Sequence, residues 1–136
     1  MIYFLTVPSE ADWEVLLGKE RYRVMRQKGT EQAFIGTYTY HIEEGIYCCY
    51  GCEQPLFDSQ AKYFHRGSGW PCFKEPIQAR SVYYLRDTGS LVQRYEVLCR
   101  ECHSHLGHVF HDGPEPKRNR YSINSLSLRF VPEKRE

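Results

Sequence analysis

"GTYTYHIEEGIYCCY", residues 36–50, is where the chain changes character. Ahead of it, apolar residues recur at helical spacing. From here on, β-branched and aromatic residues are broken by Gly, Asp, Pro and Asn, the pattern of short strands between turns. The stretch predicts strands near residues 37–41 and 45–49, and the same pattern returns near 82–85, 93–98 and 121–131. Toward the N-terminus, Ser9 stands three residues before Asp12 and is followed by Trp13, Leu16 and Leu17, a capped short helix that Gly18 interrupts. A second helical piece, roughly Glu20 to Gln27, ends at Gly29, so the helical part covers about residues 9–28. The expectation is one mainly β domain over residues 1–136 with short N-terminal helices.

Charge is nearly balanced, 18 Lys+Arg against 17 Asp+Glu, and no excess calls for nucleic acid or an anionic membrane. Eleven Tyr, seven Phe and two Trp suit a β-rich fold. The apolar opening "MIYFLTV" (residues 1–7) is too short to span a bilayer and lacks the basic start and cleavage site of a signal peptide. A soluble, cytoplasmic monomer is expected, and in that reducing compartment six cysteines point to metal or redox chemistry rather than structural disulfides. "HDGPEPKRN" (residues 111–119) reads as a turn-rich connection, and "PEKRE" (132–136) as a solvated tail.

Four of the cysteines form two C-x-x-C pairs, Cys49 with Cys52 and Cys99 with Cys102, each expected in a tight turn directly after a strand. Two such knuckles supply the four soft ligands that a tetrahedral zinc ion takes, and four thiolates leave no open position, so the zinc would be structural. Independent dithiols or inert buried thiols are the competing reading. Cys48 adjoins a proposed ligand and reads as a small buried residue; Cys72, in "GSGWPCF", is the better candidate for reactivity.

Read with period two, "NRYSINSLSL" (residues 119–128) puts Arg120, Ser122 and Asn124 on one face, continuing into Leu126, Leu128 and Phe130. Among the histidines of "HSHLGHVFHDGP", His105 and His108 are candidates for proton donors near neutral pH, against the alternative of satisfied structural residues. The glycines of "HRGSGWPCF" lack a following Lys-Ser/Thr and are blocked by Pro71, which rejects a phosphate loop. Trp70, held extended before Pro71, either packs in the core or walls an apolar pocket for a small alkyl group.

In order along the chain, "CYGCEQPLF", "GSGWPCF", "CRECHSHLGHVFHDGP" and "RYSINSLSLRF", preceded by "LLGKERYRVMRQKGTEQAF", resemble the methionine-R-sulfoxide reductases, the B class of peptide methionine sulfoxide reductases. The resemblance covers most of the chain. It implies two small antiparallel sheets with N-terminal helices, a structural zinc on the four cysteines, and thioredoxin-supported reduction of methionine-R-sulfoxide, free or in proteins, through a cysteine nucleophile. By analogy, Ser122 holds the nucleophile's place, Arg120 favours a thiolate there, and Asn124 orients groups on the same strand face. His105 and His108 would protonate and position the sulfoxide oxygen, and Trp70 would receive the substrate methyl.

Two positions depart from the family pattern. The motif R-[YF]-C-[IV]-N-S carries the catalytic cysteine where this chain has Ser122, and the resolving cysteine of many members corresponds to Ser68. Cys72, then Cys48, are the candidates for resolution. The expectation is an inactive form of the reductase, its nucleophile replaced by serine; a natural pseudo-enzyme binding sulfoxidised peptides and a zinc-stabilised interaction module are the alternatives.

Overall fold

The computed structural model describes residues 8–133, so the apolar opening at 1–7 and the last three residues of "PEKRE" lie outside the described residues. The N-terminal signals act as their chemistry dictates. The Ser9 hydroxyl accepts from Asp12 N and the Asp12 carboxylate accepts from Ser9 N, both at 3.2 Å, opening α1 (Glu10–Leu17). Gly18, at φ 81°, then turns the chain into α2 (Lys19–Arg26). Trp13 and Leu17, four residues apart, form the buried stripe of α1, while Leu16 points outward.

Among the described residues nine antiparallel strands follow: β1 (Gly45–Cys49), β2 (Pro55–Asp58), β3 (Lys62–Tyr63), β4 (Cys72–Phe73), β5 (Val82–Arg86), β6 (Tyr95–Cys99), β7 (His105–Phe110), β8 (Arg120–Ile123) and β9 (Leu128–Pro132). They make two sheets, a three-stranded one in the order β2-β1-β9 and a six-stranded one in the order β3-β4-β8-β7-β6-β5. The mainly β expectation with two sheets and two short helices holds. Tyr47, Leu56 and Phe57 of the first sheet pack on Phe73, Tyr121 and Ile123 of the second, with Phe57 stacked on Phe73 at 4.4 Å.

Several sequence expectations need correction. Residues 37–41 form turns, closed by Thr39 N to Gly36 O (3.3 Å) and His41 N to Tyr38 O (3.2 Å). Alternating Thr and Tyr imitated a strand, but Tyr38 N is bonded by the Ser125 hydroxyl at 3.1 Å and its ring meets Tyr47 edge-on. Residues 121–131 are two strands in different sheets, separated by a 3-10 turn (Ser125–Ser127). The turn breaks the period: Leu128 joins Tyr121 and Ile123 in the core, so the face running from Arg120 to Phe130 is not continuous. Pro132 pairs with Gly45 instead of starting a free tail, and Cys72 of "GSGWPCF" lies in a short strand.

Strand β7 was not legible as a strand because it is irregular. Its register against β6 shifts between Val97 and Leu98, so that His105 faces Leu98 and His108 faces Glu96. A bulge of this kind re-aims side chains, and it brings two histidines three residues apart onto one face. Gly107 sits between them where a β-carbon would lie 2.0 Å from Ser122 O and 2.9 Å from Ile123 Cα. Only a residue without a side chain lets β7 lie this close to β8.

Candidate active site and metal centre

The two C-x-x-C turns are built alike. Strands β1 and β6 end on Cys49 and Cys99, whose amides donate to Gln54 O (2.8 Å) and Ser104 O (2.9 Å). Glu53 N and His103 N return to Cys49 O and Cys99 O, and both residues take left-handed backbone, φ 68° and 63°. Each turn thereby presents two sulfurs to the other. Cys49 Sγ lies 3.6 Å from Cys102 Sγ and Cys52 Sγ 3.5 Å from Cys99 Sγ, and all four ligand atoms lie within 4.8 Å of one another. A zinc–sulfur bond of ~2.3 Å implies tetrahedral sulfur–sulfur edges of ~3.8 Å, so this donor set fits that ion. Cys49, and not Cys48, belongs to the cluster. The helices cover it: the Gly51 turn lies under the Trp13 ring, and Arg26 donates to Cys102 O at 2.6 Å while standing over Trp13 at 4.8 Å.

The six-stranded sheet gathers most of the other candidates in one row. Ser122 is paired with Cys72 on β4 and with His108 on β7, and His108 with Glu96 on β6. Facing residues of antiparallel neighbours project to the same side. Arg120, two residues before Ser122, grips Asp112 with Nε at 2.7 Å and Nη2 at 3.2 Å, and stands 4.3 Å over the Phe110 ring. Burial lowers the Arg120 pKa, but Asp112 and the neighbouring Cys72 sulfur outweigh it and raise the net value. Cys72 Sγ lies 3.3 Å from the Ser68 hydroxyl and 3.5 Å from Trp70 O. Cys48 is elsewhere, in the three-stranded sheet opposite Arg129.

Each histidine is held by a carboxylate. His105 Nδ1 is 2.7 Å from Glu96 Oε2, both side chains nearly fully buried, and His108 Nε2 is 3.0 Å from Asp87 Oδ2. The rings meet edge-on, 5.4 Å apart. Burial lowers both pKa values against the pull of the carboxylates. His108 falls to about 4, with the Arg94 guanidinium and the His105 ring adding to the burial effect, so it is neutral at pH 7. His105 Nε2 is buried without a hydrogen-bond partner. Trp70 is fixed from behind: its Nε1 donates to Glu31 O at 3.1 Å. Asn124 stands in the same chain of bonds, accepting from Glu31 N at 3.0 Å and donating to Leu106 O at 3.1 Å.

Sequence reading missed Glu31, Asp87, Glu96 and Asp112, the groups that hold these side chains. Only Glu96 left a legible signal, a carboxylate in the otherwise apolar strand "YEVLC".

A mainly β fold tied by two C-x-x-C turns, with a cysteine and a histidine facing Ser122 and an arginine two residues before it, is the class of the SelR domain. The SelR domain family matches residues 17–132, and this chain belongs to it. Its relatives include the peptide methionine sulfoxide reductase MsrB of Methanosarcina mazei, 50% identical over 92% of this chain and 89% of that protein. The Methanosarcina barkeri and Thiobacillus denitrificans proteins of the same name are each 49% identical over 92% of this chain, covering 87% and 94% of their own lengths. The family activity is that of a peptide-methionine (R)-S-oxide reductase. Among solved structures, the Mis18 "Yippee-like" domain shares the fold, with a TM-score of 0.52 and 21% identity, over 68% of this chain and all of that one.

Proposed function

We propose that the Ser122 face binds methionine-R-sulfoxide, free or in proteins, and that with serine at this position the chain holds the sulfoxide without reducing it. The observation behind this reading is that Ser122 lies between Cys72 and His108, two residues from a guanidinium. Reduction needs a soft, ionised nucleophile to attack the sulfoxide sulfur while its oxygen is protonated. A thiol, with a free pKa of ~8.5, reaches that state beside a cation such as Arg120, whereas an alcohol does not. Nor can serine form the sulfenic acid from which a disulfide would follow.

In this reading Trp70 receives the substrate methyl and His105 and His108 address the sulfoxide oxygen. Each ring holds one nitrogen against a carboxylate, which takes the single N–H of the neutral form, so donation to the oxygen from the other nitrogen draws on the doubly protonated imidazolium. Asn124 acts at one remove: through Glu31 it sets the strut on which Trp70 rests. The four clustered cysteines hold a structural zinc. Supporting that, their sulfur spacing matches the ion's geometry and none is left to react at an open site. A chain with cysteine at 122 would draw electrons from a dithiol such as thioredoxin in the cytosol, acting as a monomer, with Cys72 ahead of Cys48 as the resolving group.

Titration of the chain with an R-sulfoxide peptide, followed by Trp fluorescence, is expected to saturate, while the matching thioether peptide does not compete. The Ser122→Cys variant is expected to turn over the same peptide with dithiothreitol. Absence of both binding and variant turnover overturns the proposal.

A further inference from the structure

Glu31 is shared between two places. Its carbonyl holds Trp70, and its side chain lines a cavity of about 510 Å³ that takes no part in the site described above. That volume lies within the usual range for small-ligand pockets. Arg21 of α2, Tyr50 beyond β1 and Arg129 of β9 meet at its wall.

The arginines there are not equivalent. Arg23 is satisfied, with Nε and Nη2 on Glu20 at 2.9 and 3.1 Å and Nη2 also on Thr30 O at 3.2 Å. Arg21 and Arg129 both lie over the ring of Tyr50, at 3.7 and 4.5 Å, and neither forms an ion pair among the described residues. Arg21 gives only Nε, to Leu126 O at 2.8 Å, which fixes its plane and leaves the terminal nitrogens open. The nearby carboxyl group does not serve as their counter-ion. Glu31 accepts from Leu126 N with Oε1 at 2.8 Å, its Oε2 is buried without a partner, and burial raises its pKa toward the neutral form. Two cations on one ring at the cavity wall, neither paired with a carboxylate, suit an anion; Arg23 is paired with Glu20, so the charge left over is that of Arg21 and Arg129.

We propose that this cavity is a carboxylate subsite, formed by Arg21 and Arg129 over Tyr50, and that it takes an Asp or Glu side chain of the polypeptide carrying the sulfoxide. The polypeptide source rests on the function proposed above; the carboxylate chemistry does not. Occupancy would be felt at Trp70, because Glu31 forms one wall of the cavity and the support of the indole.

The test uses the intact chain and four peptides, pairing a Glu or a Gln flank with either the R-sulfoxide or the thioether. At low salt the Glu sulfoxide peptide is expected to bind about tenfold more tightly than its Gln counterpart. Arg21→Gln and Arg129→Gln, each checked for an unchanged melting temperature, should remove that preference. Free glutarate should suppress the preference in the parent chain, marking the contact as one a carboxylate makes from solution as well. Equal affinity of the two sulfoxide peptides for the parent, or a preference surviving both substitutions, overturns the subsite. If the sulfoxide reading alone fails, the thioether peptides bind as well as the sulfoxides and still favour Glu. If the subsite alone fails, sulfoxide is preferred over thioether without regard to flank.

Discussion

At position 122 this chain carries an oxygen where the proposed reading puts the family's sulfur, a change of one atom. Facing residues of antiparallel strands have α-carbons ~4.5–5.5 Å apart, within disulfide range, and Cys72 faces Ser122. In the Ser122→Cys variant the new thiolate attacks the sulfoxide, the thioether leaves and a sulfenic acid remains. On the reading proposed above, Cys72 would then displace water to close a disulfide. Non-reducing peptide mapping after one turnover should find the segments around 72 and 122 joined; a link to Cys48 instead would refute this order. His108 gives a second prediction. Its folded pKa of about 4 lies below the ~6.5 of an unfolded histidine, so the unfolded chain binds more protons between those values. Stability should therefore fall as pH drops from about 6.5 toward 4, and urea midpoints of His108→Gln should lose that part of the slope. The chemical residues could be read from their types and spacing. Their carboxylate partners could not, because Asp87, just past β5, and Glu96 on β6 reach the histidines through pairing register, which is not written locally.

The elements show what local pattern conveys and where it misleads. The helix starts were legible because capping is local: Ser9, Asp12 and Gly18 carry their own geometry. Strand β7 was not, since a bulge and Gly107 erase its alternation, and residues 120–132 kept a two-residue rhythm across a turn that sends the chain into another sheet. Gly107→Ala is expected to cost about 1–3 kcal/mol in urea unfolding, because a β-carbon there meets backbone rather than a flexible side chain. The same variant should weaken sulfoxide binding by moving Ser122. Asn124→Ala removes the side-chain link between β7 and residue 31, each lost buried bond being worth ~1–3 kcal/mol. Its Trp70 emission should shift toward that of a solvated indole.

Across the whole molecule, the cysteine cluster joins the two sheets, one knuckle on β1 and the other on β6. This long-range tie was the most legible feature of the fold, because C-x-x-C spacing declares a shared ligand set whatever separates the pairs. A structural zinc contributes on the order of 10 kcal/mol, comparable to the net stability of a small domain. Metal analysis should find one zinc per chain, and a strong chelator at mild temperature should abolish cooperative unfolding; a sharp transition in metal-free protein would contradict this. The burial of sulfur reaches further. All six cysteines are inside, and Met25, one of only two methionines, is 1% exposed. For a family whose substrates are made by oxidants, this keeps the chain's own sulfur from becoming one of them: peroxide or hypochlorite meets it only where the fold opens.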